Sequence, residues 1–320
     1  MVDQIRQAAS RLADHFAPTP VVESELLGKA ASRRVWLKLE SQQPTGSFKV
    51  RPAMNGMLAH LEQARSRGVI TSSSGNFAQG AAYAAQRLGI DLQVVMMRGA
   101  SSFKMERTRE LGATVVLCEN TFTARWDTTH RMQRESGRLL IHPYDSSDTI
   151  AGDGTIGLEL LSQVEGDFCV VVPVSGGGLI SGIATALKQA RPRCRVIGVQ
   201  PAANGSISRS LEQGEPVAVT PGPSLADALT VAQPGQRTFP IIQSLVDEIV
   251  LLGEDEIAQA VKLLAEQQKL VVEGGGAVAV AALLAGKIDT GGRDVVCVLS
   301  GGNILPAKLA EILSMGRQDG

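Results

Sequence analysis

Short apolar runs alternate with longer stretches of helical period along this 320-residue chain. The runs Val35–Glu40, Gly68–Ser73, Leu92–Met97, Thr114–Cys118, Arg138–Pro143, Phe168–Val174, Arg195–Pro201, Ile249–Leu252, Leu270–Glu273 and Asp294–Ser300 are rich in Val, Ile and Leu. They lack the polar alternation of a half-solvated strand and predict strands buried on both faces. Helices are predicted between them, at Phe77–Leu88, Ser102–Leu111, Thr123–Glu135, Ile156–Gln163, Ile180–Ala190, Glu254–Gln267, Ala277–Ala285 and Pro306–Ser314. Gly89, Gly112 and Gly137 follow three of these as stop signals. The βαβα alternation predicts an α/β fold with twisted, mostly parallel sheets. The segment Gln213–Arg237, dense in Pro and Gly, predicts a long ordered loop, and the turn Tyr144–Asp153 a domain crossing.

Composition narrows the partners. The chain is 44% hydrophobic and 20% charged, an ordinary globular mixture. Lys+Arg (31) and Asp+Glu (32) nearly cancel, which removes the footprint of a general nucleic-acid binder. No apolar run approaches the ~18 residues of a membrane span. The opening MVDQIRQAASRLADHF is amphipathic and carries acids, unlike a secretory signal or transit peptide. Cys118, Cys169, Cys194 and Cys297 form no CxxC, and three lie in apolar runs, so reduced core thiols and a cytoplasmic protein are expected. Glycine is in excess, 34 of 320 residues against a usual ~7%, while aromatics are only 3%.

Glycines and hydroxyls cluster near the predicted strand ends, where open α/β sheets bind ligands. The clusters are Thr45–Lys49, Ser72–Gly80, Ala151–Gly157, Ser175–Gly182, Glu273–Ala277 and Ser300–Asn303. At least 15 of the glycines lie in them, which reads as backbone brought close to a ligand. SGGGLISG leaves one strand and enters a helix, so its N–H groups suit a phosphate. A ligand-free tight turn is the plain alternative. A dinucleotide turn fits less well, because the spacing is one residue too long and the next strand ends in Gln200 rather than an acid. Lys49, beside Phe48 at a helix start, reads either as a solvated charge or as a lysine poised for Schiff-base chemistry. Ser74, Gly75 and Asn76 read as a carboxylate-binding helix start or as ordinary caps. Glu273 and Asp153 are acids at strand or loop ends, open to solvation. The four histidines show neither metal spacing nor a triad pattern.

Taken together and in order, these segments resemble the pyridoxal-phosphate enzymes of the tryptophan-synthase-β-like fold (fold type II). Within them the chain resembles the threonine/serine dehydratase and serine racemase branch. The markers are TPVVES, LKLESQQPTGSFKVR, SSGNFAQGAAYAA, HPYDSSDTIAGDGTIGLEL, VPVSGGGLISGIA, SLADALTV and LSGGN, and they run from about Arg11 to about Lys308. The resemblance implies pyridoxal 5′-phosphate as cofactor and α,β-elimination from L-threonine or L-serine to a 2-oxo acid and ammonia. It implies Lys49 as the Schiff-base lysine that also moves the Cα proton. Phe48 would pack beside the cofactor, Asn76 would bond its ring oxygen, and Ser300 would face the ring nitrogen. Ser175, Gly176, Gly177, Gly178 and Leu179 would wrap the phosphate, and Glu273 completes the cofactor set. Ser73, Ser74, Asn76 and Phe77 would receive the substrate carboxylate, and Ser74 matches the second base of the racemases. Two α/β domains are implied: 1–67 with 146–320 holding the cofactor, and a mobile 68–145. A homodimer, a small amino-acid substrate, and neither nucleic-acid nor membrane partners are expected. A racemase, or a dehydratase of 3-hydroxyaspartate or phenylserine, is the alternative; a cysteine- or threonine-synthase-like replacement enzyme and a non-catalytic nucleotide-binding module fit less well.

The chain departs from that pattern at several positions. Phe77 stands where many relatives carry His, which favours a less polar β-substituent than that of serine. Pro52 replaces a glycine in a first helical turn, which suits its fixed φ. Ser175 opens the phosphate loop in place of a fourth glycine, and Gly274 follows Glu273 in place of Pro. Gln200 and Ser206 stand where racemase-type relatives place metal-binding acids, so no bound divalent cation is expected. The chain ends at Gly320, leaving no room for the regulatory domain of biosynthetic threonine dehydratases, so feedback control is not expected.

Overall fold

The computed structural model describes residues 1–315 and contains two sheets. Ten strands are β1 (Val21–Glu23), β2 (Val35–Lys38), β3 (Val69–Ser72), β4 (Leu92–Met97), β5 (Thr114–Cys118), β6 (Leu139–Leu140), β7 (Phe168–Pro173), β8 (Arg195–Pro201), β9 (Glu248–Leu252) and β10 (Asp294–Val298). One sheet has the order β1-β2-β10-β7-β8-β9, parallel except for the antiparallel edge strand β1. The other has the order β5-β4-β3-β6 and is parallel throughout.

The unbroken apolar runs are explained by burial on both faces. In β7, Cys169 and Val171 enter one core, with Leu37 and Val280, while Val170 and Val172 enter another, with Ile156 and Ile183. β10 divides the same way, Val295 and Cys297 against Val296 and Val298. The four-stranded sheet repeats the arrangement. Val69, Val94 and Met96 pack with Met54, Phe77 and Ala81, while Ile70, Val95 and Cys118 pack on the opposite side. Each fully buried Val, Leu or Ile is worth roughly 1.5–3 kcal/mol relative to exposure, so period-2 positions on both faces hold these sheets. All four cysteines are buried and free.

Three expectations need correction. Leu270–Glu273 is not a strand. Lys269 has φ +58, and the segment's only contact resembling a ladder is Glu273 N–H to Gly301 O at 3.1 Å. It is an irregular connection in which Val272 and Glu273 are buried while Val271 is 54% exposed, not a sheet member. The apolar run Arg138–Pro143 contracts to the two-residue β6, and the irregular turn after it is shorter than expected, because a helix already begins at Ser147. Its N-cap Ser146 accepts from Thr149 N–H at 3.1 Å.

The third correction concerns glycine. Ala151–Gly157 does not sit at a strand end; it lies inside the Ser147–Gln163 helix. A methyl on Gly152 would stand 2.6 Å from Pro52 Cα, and one on Gly157 would stand 2.8 Å from Ala186 Cβ. Gly182 meets the backbone of Gly154 and Ile150. These glycines let the Ser147–Gln163, Gly178–Ala190 and Val50–Ala59 helices cross at close range, so part of the glycine excess serves packing.

Candidate active site

The carboxyl ends of β3, β4 and β7, together with the loop that follows β10, face one cleft of about 590 Å³, the position at which such sheets bind ligands. Phe48, Lys49, Ser73, Ser74, Asn76, Phe77, Ser175, Gly176, Gly177, Gly178, Leu179, Glu273 and Ser300 all line it. Every residue that the resemblance assigned to cofactor or substrate therefore lines this one cleft, while the Ala151–Gly157 cluster does not.

Lys49 is the N-cap of the Val50–Ala59 helix. The turn before it is pinned to the loop after β10: Phe48 N–H donates to Ser300 O at 3.1 Å, and Ser47 bridges Gly301. Gly80 allows the Asn76–Leu88 helix to rest on the Lys49 backbone, since a methyl there would stand 2.8 Å from its carbonyl carbon. The ammonium donates to Pro143 O at 3.1 Å and lies 4.6 Å from the Phe48 ring centre. Burial pushes its pKa down, against the pull of Asp153. Behind it, Arg51 is clamped by Glu40 (2.8 and 2.9 Å) and by Glu159. Burial pushes the Glu40 carboxyl up, but Arg51, with Lys38 and the Thr19 hydroxyl, together hold it below its usual range. This buried ion cluster fixes the first helical turn, and Lys49 with it.

The SGGG loop presents unused donors. Gly177 has φ +98 and caps the Gly178–Ala190 helix. Among the described residues, the N–H groups of Gly176, Gly177, Gly178 and Leu179 meet no acceptor. A side chain on Gly176 would strike the Tyr144 ring, and one on Gly177 would crowd Thr238 Oγ1 at 2.8 Å. A concave row of free N–H groups at a helix start fits a phosphate. Ser175 Oγ accepts from Val231 N–H at 3.2 Å, which ties down the long loop and leaves its own O–H free to donate.

Asn76 is held from two sides, donating to Glu273 Oε1 at 2.5 Å and accepting from Asn303 Nδ2 at 3.0 Å. Glu273 and Asp153 are buried rather than solvated. Burial pushes Glu273 up to about 7 and Asp153 up to about 7. Ser74 lines the cleft, but its hydroxyl accepts from Met97 N–H at 3.1 Å. Ser300 Oγ faces Gly275 O at 3.5 Å. Gln200 and Ser206 are engaged in the fold: Gln200 accepts from Ile207 N–H at 3.0 Å, and Ser206 donates to Val231 O at 3.1 Å.

The residue-by-residue reading missed Lys104, Arg125, Tyr144, Asp227 and Asn303. Tyr144 and Asn303 stood inside HPYD and SGGN, so their motifs were a usable signal. Lys104 and Arg125 carried none, being ordinary charges on helices. In the structure Lys104 is buried against Asp227 at 2.8 Å. Arg125 is half-buried in the cleft wall, its guanidinium 5.4 Å from the Phe122 ring centre and its Nε without a partner.

The donor loop, the buried lysine and the amide-bearing Asn76 fit one group: an aldehyde-bearing aromatic phosphate. The comparisons agree. Residues 12–301 match the model of the family described as pyridoxal-phosphate dependent enzyme. The chain belongs to that family. It is 43% identical over 316 residues to the L-threonine ammonia-lyase of Thermotoga maritima, covering 98% of this chain and 78% of that one. Maize serine racemase superposes with a TM-score of 0.92 at 34% identity, covering 97% and 95% of the two chains. A pyridoxal 5′-phosphate-dependent aspartate racemase gives 0.90 at 33% identity, covering 97% of each.

Proposed function

We propose that this chain eliminates water from β-hydroxy amino acids, L-threonine or L-serine, and that the resulting enamine takes a water back on hydrolysis to give a 2-oxo acid and ammonia. The observation that carries this is the buried Lys49 lining the same cleft as a row of free N–H groups. Ser175, Gly176, Gly177, Gly178 and Leu179 would hold the cofactor's phosphate, and Phe48, Asn76, Glu273 and Ser300 its ring. Bound there, pyridoxal phosphate supplies an aldehyde for the amino group and a conjugated ring that takes up charge from Cα. Lys49 Nζ, kept neutral more readily by burial, takes the Cα proton. Ser300 would offer the ring nitrogen a hydroxyl rather than a carboxylate, which would stabilise charge on the ring less and favour prompt loss of the β-hydroxyl, protonated, as water. The free N–H groups of Asn76 and Phe77, with Ser73 and Ser74, receive the substrate carboxylate. We assign residues 1–67 with 146–320 to a cofactor-holding unit, of which 316–320 lie outside the described residues, and 68–145 to a unit that closes over the cleft.

Keto-acid release measured over both enantiomers of serine, threonine, 3-hydroxyaspartate and phenylserine tests the reading. Release from L-threonine or L-serine is expected, with Lys49→Ala losing at least about 10²–10⁴-fold. A Lys49→Ala protein of full activity would overturn it.

Arg125 favours a second reading, in which the substrate carries a second carboxylate, as 3-hydroxyaspartate does. A cation in the cleft wall with an unpartnered Nε asks for an anion. On that reading Arg125→Leu lowers kcat/KM for 3-hydroxyaspartate at least ~10-fold and spares serine; equal losses on both substrates would count against it.

A further inference from the structure

Asp153 is a buried carboxyl that the elimination does not use. It projects from the second turn of the Ser147–Gln163 helix and is fully shielded from solvent. Neither of its oxygens has a hydrogen-bond partner. It stands directly behind the SGGG loop, because a methyl on Gly178 would lie 2.8 Å from Asp153 Oδ2. A buried carboxyl without hydrogen-bond partners thus abuts the helix start whose N–H groups are free.

An ionised Asp153 and a bound phosphate are incompatible at close range. A phosphate monoester carries about −1.5 to −2 at neutral pH, with a second pKa near ~6. Inside a protein, like charges a few ångströms apart raise the pKa of the weaker acid. We infer that Asp153 takes up a proton when the cofactor's phosphate binds, so that its carboxyl makes cofactor affinity depend on pH. The inference rests on reading the Ser175–Leu179 loop as the phosphate cradle.

The surroundings of Asp153 agree with this. Burial already pushes it up to about 7, Lys49 pulls it down, Glu40 pushes it up and Arg51 pulls it down. Other charged groups on the helices packed around it are taken. Arg11 donates to Asn55, Lys188 of the Gly178–Ala190 helix pairs with Asp247, and on its own helix Asp148 pairs with His60 and Glu159 with Arg51 and Lys38. Lys49 is therefore the cation most directly opposed to the buried charge, and the arriving phosphate outweighs it.

The sign follows from linkage. Below about pH 7 Asp153 is already protonated and does not oppose binding. Above it, the proton must be taken from solvent, and affinity falls by up to about tenfold per pH unit until the bound-state pKa is passed. The phosphate's own ionisation acts in the opposite sense below ~pH 7, so a variant reference is needed.

Pyridoxine 5′-phosphate is the probe, because it has the phosphate but no aldehyde and leaves Lys49 free. Its dissociation constant is measured by fluorescence titration from about pH 6 to about pH 8.5 on the cofactor-stripped wild type and on Asp153→Asn. The ratio of the two constants is expected to climb from near one at about pH 6 to about tenfold at about pH 8.5, with the variant binding tighter. A flat ratio overturns the inference. Should Asp153→Asn fail to fold, calorimetry on the wild type alone decides. Titration near pH 8 in buffers of different ionisation enthalpy is expected to show net proton uptake on binding, and none overturns the inference. Absence of any binding to the wild type, at any pH, overturns the phosphate cradle and this inference together; binding with a flat ratio overturns only the role of Asp153.

Discussion

Lys49, Asp153 and Glu273 show how a site can be tuned by burial with few direct partners. Each loses water and shifts toward its neutral form; Lys49 and Glu273 line the cleft, and Asp153 lies behind its SGGG loop. The two carboxyls carry a cost for the cofactor-free protein. Both have folded-state pKa values near 7, above the ~4 of the unfolded chain, so the folded state binds more protons between those values. The stability they contribute is complete below about pH 4 and is lost as pH rises through about 7. Urea unfolding of the cofactor-free protein at a series of pH values is expected to show this decline, and Glu273→Gln should make it shallower. Parallel curves for the two proteins would contradict it. The sequence marked Glu273 and Asp153 only as acids near turns. Charge state depends on solvent access, and solvent access depends on segments over a hundred residues away.

At the scale of elements, the strands and the helices between them were legible because their burial pattern is local. Glu254–Gln267 and Pro306–Ser314 begin and end where capping and periodicity place them. The failures share a cause. Val271 and Val272 have the same composition as a strand, yet no neighbouring strand lies beside them, and strand formation needs a partner that local sequence does not name. The three-residue β1 was passed over for the converse reason: its partner β2 makes it a strand although its own length does not. The glycines of the Ser147–Gln163 helix read as a loop because Gly disfavours helix interiors by roughly 1 kcal/mol; close helix crossings outweigh that preference. Gly182→Ala tests the crossing. With no space beside Gly154 and Ile150, the added methyl should cost about 1–3 kcal/mol, seen as a lower denaturant midpoint with an unchanged slope. An unchanged midpoint would mean that the helices separate freely.

Across the whole molecule, the two sheets meet at the cleft, and a few side chains join them. Lys104 reaches from the Ser102–Glu110 helix to Asp227 on the long loop of the larger sheet. Asp227 is 61% exposed, so the pair adds little to global stability but ties one wall of the cleft to the other. Asp227→Asn is expected to shift the unfolding midpoint little, while hydrogen exchange in Ser102–Glu110 quickens and KM rises by a few-fold. Protection unchanged in that helix would show that the pair holds nothing shut.

By itself the sequence determined the α/β class, the succession of buried strands, the family and most of the residues that line the cleft, because hydrophobic period and short Gly-, Ser- and Lys-containing motifs are local properties. Tertiary structure alone decided which of the glycines line the cleft and which serve helix packing. It also decided that Asp153 and Glu273 are buried, that the Ser74 and Ser175 hydroxyls accept from the backbone N–H groups of Met97 and Val231, and that Arg125 lines the cleft. Those outcomes depend on distance and solvent exclusion between segments far apart in the chain, and no window of sequence contains them.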